Sequence, residues 1–280
     1  MIEYAVQFFI AAFLFWIYLV LVAIGLQFIY GVTKTLNLAH GSFFVLGGYL
    51  ASVFIHTPYS LLVILGAGAL AGAGLYIVLT RFAPTEFHQL LATFTIFWLL
   101  EGVFRLIFGV GLYNTYQFAQ SLGQFFNLPA YYILALAVAL TIILAIYLFL
   151  HKTSLGLFLR ATMDNKSMAE AMGVNVSLVG AIGVSIGVTV AVLGGALSSM
   201  WLSMSPGLAG EVLLYAFAVV AMGGLGNIFA SVAAAAIVSL LRSAIVFTAP
   251  ELEFFALYLA VALVLLTRPQ GLFVTRARYV

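Results

Sequence analysis

Long apolar runs, broken by short polar knots, set the rhythm of this chain. The runs cover roughly 4–30, 37–55, 60–80, 89–108, 130–150, 176–202, 228–247 and 254–267, with a shorter piece at 212–222. Most exceed the ~18 apolar residues that read as a membrane-crossing helix. They are continuous and show no alternation of apolar with polar positions, so they predict helices and not the strands of a β-barrel. The expected fold is all-α: a polytopic transmembrane bundle of about eight or nine membrane helices. Some of those helices are interrupted, and the whole of 1–280 is one domain. The first run starts almost at once after Glu3, with no basic region or clear cleavage site before it. It reads as a retained span.

One stretch departs from this rhythm. His151 to Asn175 holds Lys152, Arg160, Asp164, Lys166 and Glu170, five of the chain's ten basic and eight acidic residues. A polar segment between two spans must lie in water or at the headgroups. Thr153 or Ser154 can cap a helix start, and Gly173 can end one in the left-handed conformation. Asp164-Asn165-Lys166-Ser167 is a place to split the segment into two short helices. Arg160–Asp164 and Lys166–Glu170 have i,i+4 spacing and predict helix-surface pairs. Leu155, Phe158, Leu159, Thr162 and Met163 make one apolar face, continued by Met168, Ala169, Ala171 and Met172. The segment is a solvated helical loop, or a helix held at the membrane surface to engage a soluble partner.

Composition agrees with the pattern. Hydrophobic residues make up 65% and charged residues 6%, where soluble domains carry roughly 25% charged residues. The chain is an integral membrane protein whose first partner is the lipid bilayer. Cysteine is absent, which excludes disulfides and thiolate metal sites. With the 151–175 segment in the cytoplasm, alternate crossings place Lys34, Arg81, Lys152, Arg160, Lys166, Arg268, Arg276 and Arg278 on the same side. That is eight of ten basic residues, as the positive-inside rule requires. Glu3, Glu211, Glu251 and Glu253 fall outside, together with the N-terminus, and the C-terminus is cytoplasmic. Nine crossings satisfy this arrangement, with 212–222 as a partial one.

Several features bear on chemistry. Asn37, His40, Gly41 and Ser42 lie at a break. A helix restarting there would aim free N–H groups at an anionic group, or Asn37 is simply a cap and His40 is bonded to a carbonyl. Gly223, Gly224, Gly226 and Asn227 form a second break. Interrupted spans in both halves of a chain point to a transport pathway. Glu101 and Arg105 sit four apart in one span. They form a structural ion pair or a polar wall of a pathway, since a lone charge there costs roughly 2.5–3.5 kcal/mol. Arg242 snorkels or pairs with Glu251 or Glu253. Gly68–Gly72 and Gly183–Gly187 are small-residue faces for close helix approach. No phosphate-binding G-x-x-x-x-G-K-[ST] loop, HExxH or G-x-S-x-G motif occurs, so an enzyme, a metal site and ATP binding by that loop are not expected.

Four stretches in order resemble LivH-type permeases of branched-chain amino-acid ABC importers. They are GLQFIYGVTKTLNLAHGSFFVLGGYLA (25–51), LLEGVFRLIFG (99–109), SLGLFLRATMDNKSMAEAMGVN (154–175), and AFAVVAMGGLGNIFASV (216–232) with LTRPQGLF (266–273). The resemblance implies a pathway-forming subunit in the cell membrane that pairs with a second, LivM-like permease. Two cytosolic ABC ATPases, which bind the ATP, would dock on 154–173 through Leu155, Phe158, Leu159, Arg160, Met163, Asp164, Lys166, Met168, Glu170, Met172 and Gly173. An extracytoplasmic binding protein would deliver the cargo. No cofactor, metal, catalytic residue or nucleic acid is expected in this chain. Two departures concern the cargo: Glu101 stands where an amide is usual, and Asn227-Ile228-Phe229 replaces a proline after the glycine knot. A related amine- or amide-bearing solute, or a sugar, is an alternative cargo. A self-sufficient carrier that uses Glu101–Arg105 is an alternative machine.

Overall fold

The computed structural model describes residues 2–125 and 128–273; Arg276 and Arg278 lie outside the described residues. Twelve α-helices account for most of the described chain. In order they are α1 (Ile2–Thr33), α2 (His40–Phe54), α3 (Ser60–Arg81), α4 (Glu86–Phe108), α5 (Tyr116–Ser121), α6 (Ala130–Lys152), α7 (Ser154–Asp164), α8 (Lys166–Ala171), α9 (Val176–Ser198), α10 (Leu208–Gly223), α11 (Ile228–Thr248) and α12 (Glu253–Thr267). Seven helical stretches are long and apolar enough to cross a membrane, while α2 and α10 are shorter. The uncharged 109–129 segment is more ordered than a plain loop. It contains α5 and a two-residue hairpin, Gln124–Phe125 with Leu128–Pro129, and Tyr113 pairs with Met204.

Helices α1 and α9 form the centre, because small residues let other backbones reach them. A Cβ on Gly68 or Gly72 of α3 would lie 2.7 or 2.5 Å from the Cα of Thr189 or Ser185 in α9. A Cβ on Gly187 would lie 2.6 Å from the Gly25 carbonyl of α1, and one on Gly183 would meet Leu159 of α7. Both small-residue pairs named from the sequence are therefore contact faces.

The two short helices start inside the bundle. Instead of spanning 37–55, α2 begins at His40, whose Nε2 lies 2.9 Å from the carbonyl of Val22 in mid-α1. Residues 34–39 therefore run back along α1 in irregular conformation, which is tolerable at membrane depth only inside protein. Two of their donors find side-chain acceptors: Leu38 N–H reaches Thr93 Oγ1 of α4 at 3.2 Å and Ala39 N–H reaches Asn37 Oδ1 at 3.1 Å. Helix α10 starts at Leu208, earlier than the expected 212, after a Ser205-Pro206-Gly207 turn with Gly207 at φ +97°. Its first turn lies on α2, where a Cβ at Gly41 would be 1.9 Å from the Ala209 carbonyl.

The charges separate by end. Lys34 bonds to α7, Arg81 ends α3 next to the α9 start where Tyr76 touches Gly180, and Arg268 precedes a tail that packs Gly271 on Gly224. The start of α1 and the end of α12 lie at opposite ends of the bundle. The short helices α2 and α10, of 15 and 16 residues, add to the seven long ones.

Candidate translocation and coupling site

The first break is a closed junction. Asn37 O accepts from His40 N–H at 3.3 Å, and the Ala39 carbonyl accepts from Ser42 and Phe43. The α2 start therefore spends several of its N–H groups internally, and α10 covers Gly41. A thread of buried polar atoms follows α2 without a hydrogen-bond partner among the described residues: Asn37 Nδ2, His40 Nδ1, Ser42 Oγ and Tyr49 OH.

Glu101 joins this thread from α4. It is 3% exposed. Its Oε2 accepts the backbone N–H of Gly207 at 2.9 Å, which ties α4 to the α9–α10 turn, and its Oε1 is buried without a partner among the described residues. The expected ion pair with Arg105 does not form. Arg105 is exposed one turn further along, while Glu101 turns inward to the turn that needs an acceptor. Arg242 does pair with Glu253, at 2.7 Å, and its guanidinium lies 4.0 Å from the centre of the Phe15 ring.

The second break is held by a residue that no motif reveals. Gln27 of α1 is fully buried. Its Nε2 donates to the Gly224 carbonyl at 2.8 Å and to Ser231 Oγ at 2.9 Å, and its Oε1 accepts from Gly226 N–H at 2.7 Å. Gly224 and Gly226 have φ of +104° and +86°, a backbone that side chains resist. Asn227 caps α11 through Ala230 N–H at 3.0 Å. From the tail, Leu272 N–H reaches the Met222 carbonyl at 2.8 Å.

The 151–175 segment forms the two helices its signals predict. Thr153 caps α7, Asn165 caps α8, and Gly173 has φ +85°. Its apolar residues divide between two directions. Leu159 and Met163 are buried against Gly183 and Gly31, whereas Leu155, Phe158, Met168 and Met172 stay exposed. Neither Arg160–Asp164 nor Lys166–Glu170 comes within ion-pair distance. The break at Asn165 leaves only six residues in α8, and the exposed Lys166 and Glu170 gain too little in water to fix long side chains, while half-buried Arg160 turns from exposed Asp164 with its Nε out of solvent. Lys34 Nζ instead bonds the Met163 carbonyl at the α7 C-terminus.

The knot and these helices share a cavity of about 570 Å³. Lys34, His151, Arg160 and Asp164 line one side, and Leu225 to Phe229 line the other. The residues proposed for a pathway and for coupling thus meet here through Gly226, Asn227, Arg160 and Asp164. Asn37, His40, Ser42 and Glu101 form a separate, buried group deeper in the bundle. Gln27, Gly31 and Thr93 were missed as site residues. A single glutamine, glycine or threonine in an apolar run carries no periodic signal.

Two of the comparisons with known proteins agree on one family. A family model described as the permease component of the branched-chain amino acid transport system matches residues 8–267. The probable branched-chain amino acid transport permease protein LivH of Methanocaldococcus jannaschii is 28% identical over 250 residues, 82% of this chain and 77% of that one. Among solved structures, PsaBC from Streptococcus pneumoniae in complex with Fab aligns with a TM-score of 0.52 at 14% identity, over 94% of this chain and 93% of that one. The last likeness concerns the fold alone.

Proposed function

The chain belongs to the branched-chain amino-acid transport permease family and is the permease subunit of an ABC importer, and from that premise we propose how it works. Helices α7 and α8 are the cytoplasmic dock for the ATPase subunits. The observation that carries this is their divided apolar face. Leu159 and Met163 anchor the pair to α9 and α1, while Leu155, Phe158, Met168 and Met172 face away from the bundle. A helix fixed on one side and apolar on the other suits insertion into a groove of a partner.

The cargo on this reading is a branched-chain amino acid or a related small polar solute. It is delivered by an extracytoplasmic binding protein and passed along a pathway shared with a second, LivM-like permease. ATP is bound and hydrolysed by the partner ATPases, and α7 and α8 relay the resulting movement. Amine- or amide-bearing cargo is favoured by one observation, the unpartnered Oε1 of Glu101. The self-sufficient carrier loses the Glu101–Arg105 pair it would have used for coupling.

The test replaces exposed residues. Phe158→Asp with Met172→Asp should abolish co-purification of the ATPases and ATP-driven uptake, with the melting temperature kept. Uptake by the purified chain alone, without ATP, would contradict the reading.

A further inference from the structure

We infer that the inner end of α1 is the link that carries movement of α7 to the 223–227 knot, with Lys34 and Gln27 as positioning residues. The inference rests on the docking reading above and adds the route inward from the dock. Coupling between distant parts needs contiguous packed or hydrogen-bonded groups. Here two sets of contacts, one to two turns apart, sit on the end of α1 and the residue that follows it.

The first set grips α7. Met163 enters a hole that exists because residue 31 is glycine; a Cβ there would lie 2.0 Å from Met163 Cε. Lys34 adds a charged cap. Its Nζ bonds the Met163 carbonyl in the last turn of α7, where the helix dipole favours a cation. Lys34 follows α1 in the left-handed region, φ +59°, the only positive value among described non-glycine residues. Glycine is the usual residue at such a helix end, so a lysine there accepts strain and places its ammonium on α7.

The second set grips the knot. All three bonds from the Gln27 amide go to one short region: the Gly224 carbonyl, the Gly226 N–H and the Ser231 hydroxyl. Both ends of the amide are used, so tilting or rotating α1 must drag or release the knot. The cavity between α7 and the knot would change shape with the same movement. Glycine backbone at Gly224 and Gly226 lets the knot follow without side-chain clashes.

The test uses the whole importer, with ATPases and binding protein, in liposomes. Lys34→Met should retain the ATPases at wild-type stoichiometry, while cargo moved per ATP falls at least tenfold. Lys34→Arg, which can still cap α7, should recover most of the ratio. A second probe exploits the absence of native cysteine in this chain. A Cβ at residue 31 lies 3.1 Å from Met163 Cγ, the atom that a cysteine sulphur at 163 would replace. Gly31→Cys with Met163→Cys should therefore cross-link readily in a complex whose other subunits are cysteine-free. If α7 and α1 move as one body, the oxidised protein transports as fast as the same protein reduced. Transport that stops on oxidation, an unchanged transport-to-ATP ratio in Lys34→Met, or loss of the ATPases in Lys34→Met would each overturn the inference. Failure of the ATPases to bind the unaltered chain would instead sink the docking reading.

Discussion

Glu101 Oε2 accepts the Gly207 N–H in a part-buried bond. Replacing Glu101 by Leu removes that bond, a loss of about 0.5–1.5 kcal/mol. Glu101→Gln keeps a carbonyl oxygen in the same position. Thermal unfolding in detergent should therefore show Glu101→Leu clearly below the unaltered protein and Glu101→Gln close to it. Equal melting for all three would mean that the bond contributes nothing. Cargo preference is a separate reading: a shift in Glu101→Gln at unchanged stability assigns Oε1 to the pathway. The sequence marked Glu101 as noteworthy because carboxylates are rare at membrane depth. Its partner was beyond reach, because the backbone of a turn more than a hundred positions away leaves no local trace. Gln27 was hidden for the opposite reason: an uncharged amide in an apolar run raises no alarm. Gly31→Ala is a sharper local probe, since its Cβ collides with Met163. It should loosen α7 and raise proteolysis at Asn165 before it lowers the global melting temperature.

For single elements, ends were legible and facings were not. Thr153, Asn165 and Gly173 act locally, so the limits of α7 and α8 follow from neighbouring residues. Which apolar side chains turn inward depends on Gly31 and Gly183, which belong to other helices. The resulting division predicts opposite phenotypes on one short stretch. Leu159→Ala opens a cavity against α9 and should cost roughly 2–5 kcal/mol. Met172→Ser, at a position 78% exposed, should leave stability within about 0.5 kcal/mol yet weaken ATPase binding. Denaturant titration alongside a pull-down separates the two. A Met172→Ser protein that unfolds early would show that α8 is packed and not presented. The ends of the short helices α2 and α10 were read a few residues off, because apolar content does not say where a chain doubles back.

Across the whole molecule, the alternation of apolar runs and the bias of basic residues together imply nine passages. In the structure Lys34, Arg81 and Arg268 lie at one end of the bundle and the Arg242–Glu253 pair lies toward the other. Single cysteines introduced at Met172 and at Glu251 should react with membrane-impermeant reagents from opposite faces, Met172 from the cytosol. The same labelling pattern for both would refute the topology. Neither apolar runs nor charges disclosed the centre of the molecule. That is set by glycine contacts between α1, α3 and α9, each of them ordinary when read alone.

The late start of α2 has a consequence for biosynthesis. A stretch of this length, opening on Asn37 and His40, is a poor candidate for independent entry into lipid. Its glycines close on partners that leave the ribosome much later, Val192 and Gly195 among them. While the chain is being made, α2 must therefore wait near the interface as a passenger, and only the arrival of α9 gives it a berth. A nascent chain halted before residue 176 should leave Ser52 and His56 open to cytosolic reagents. Release of the full chain should close that window.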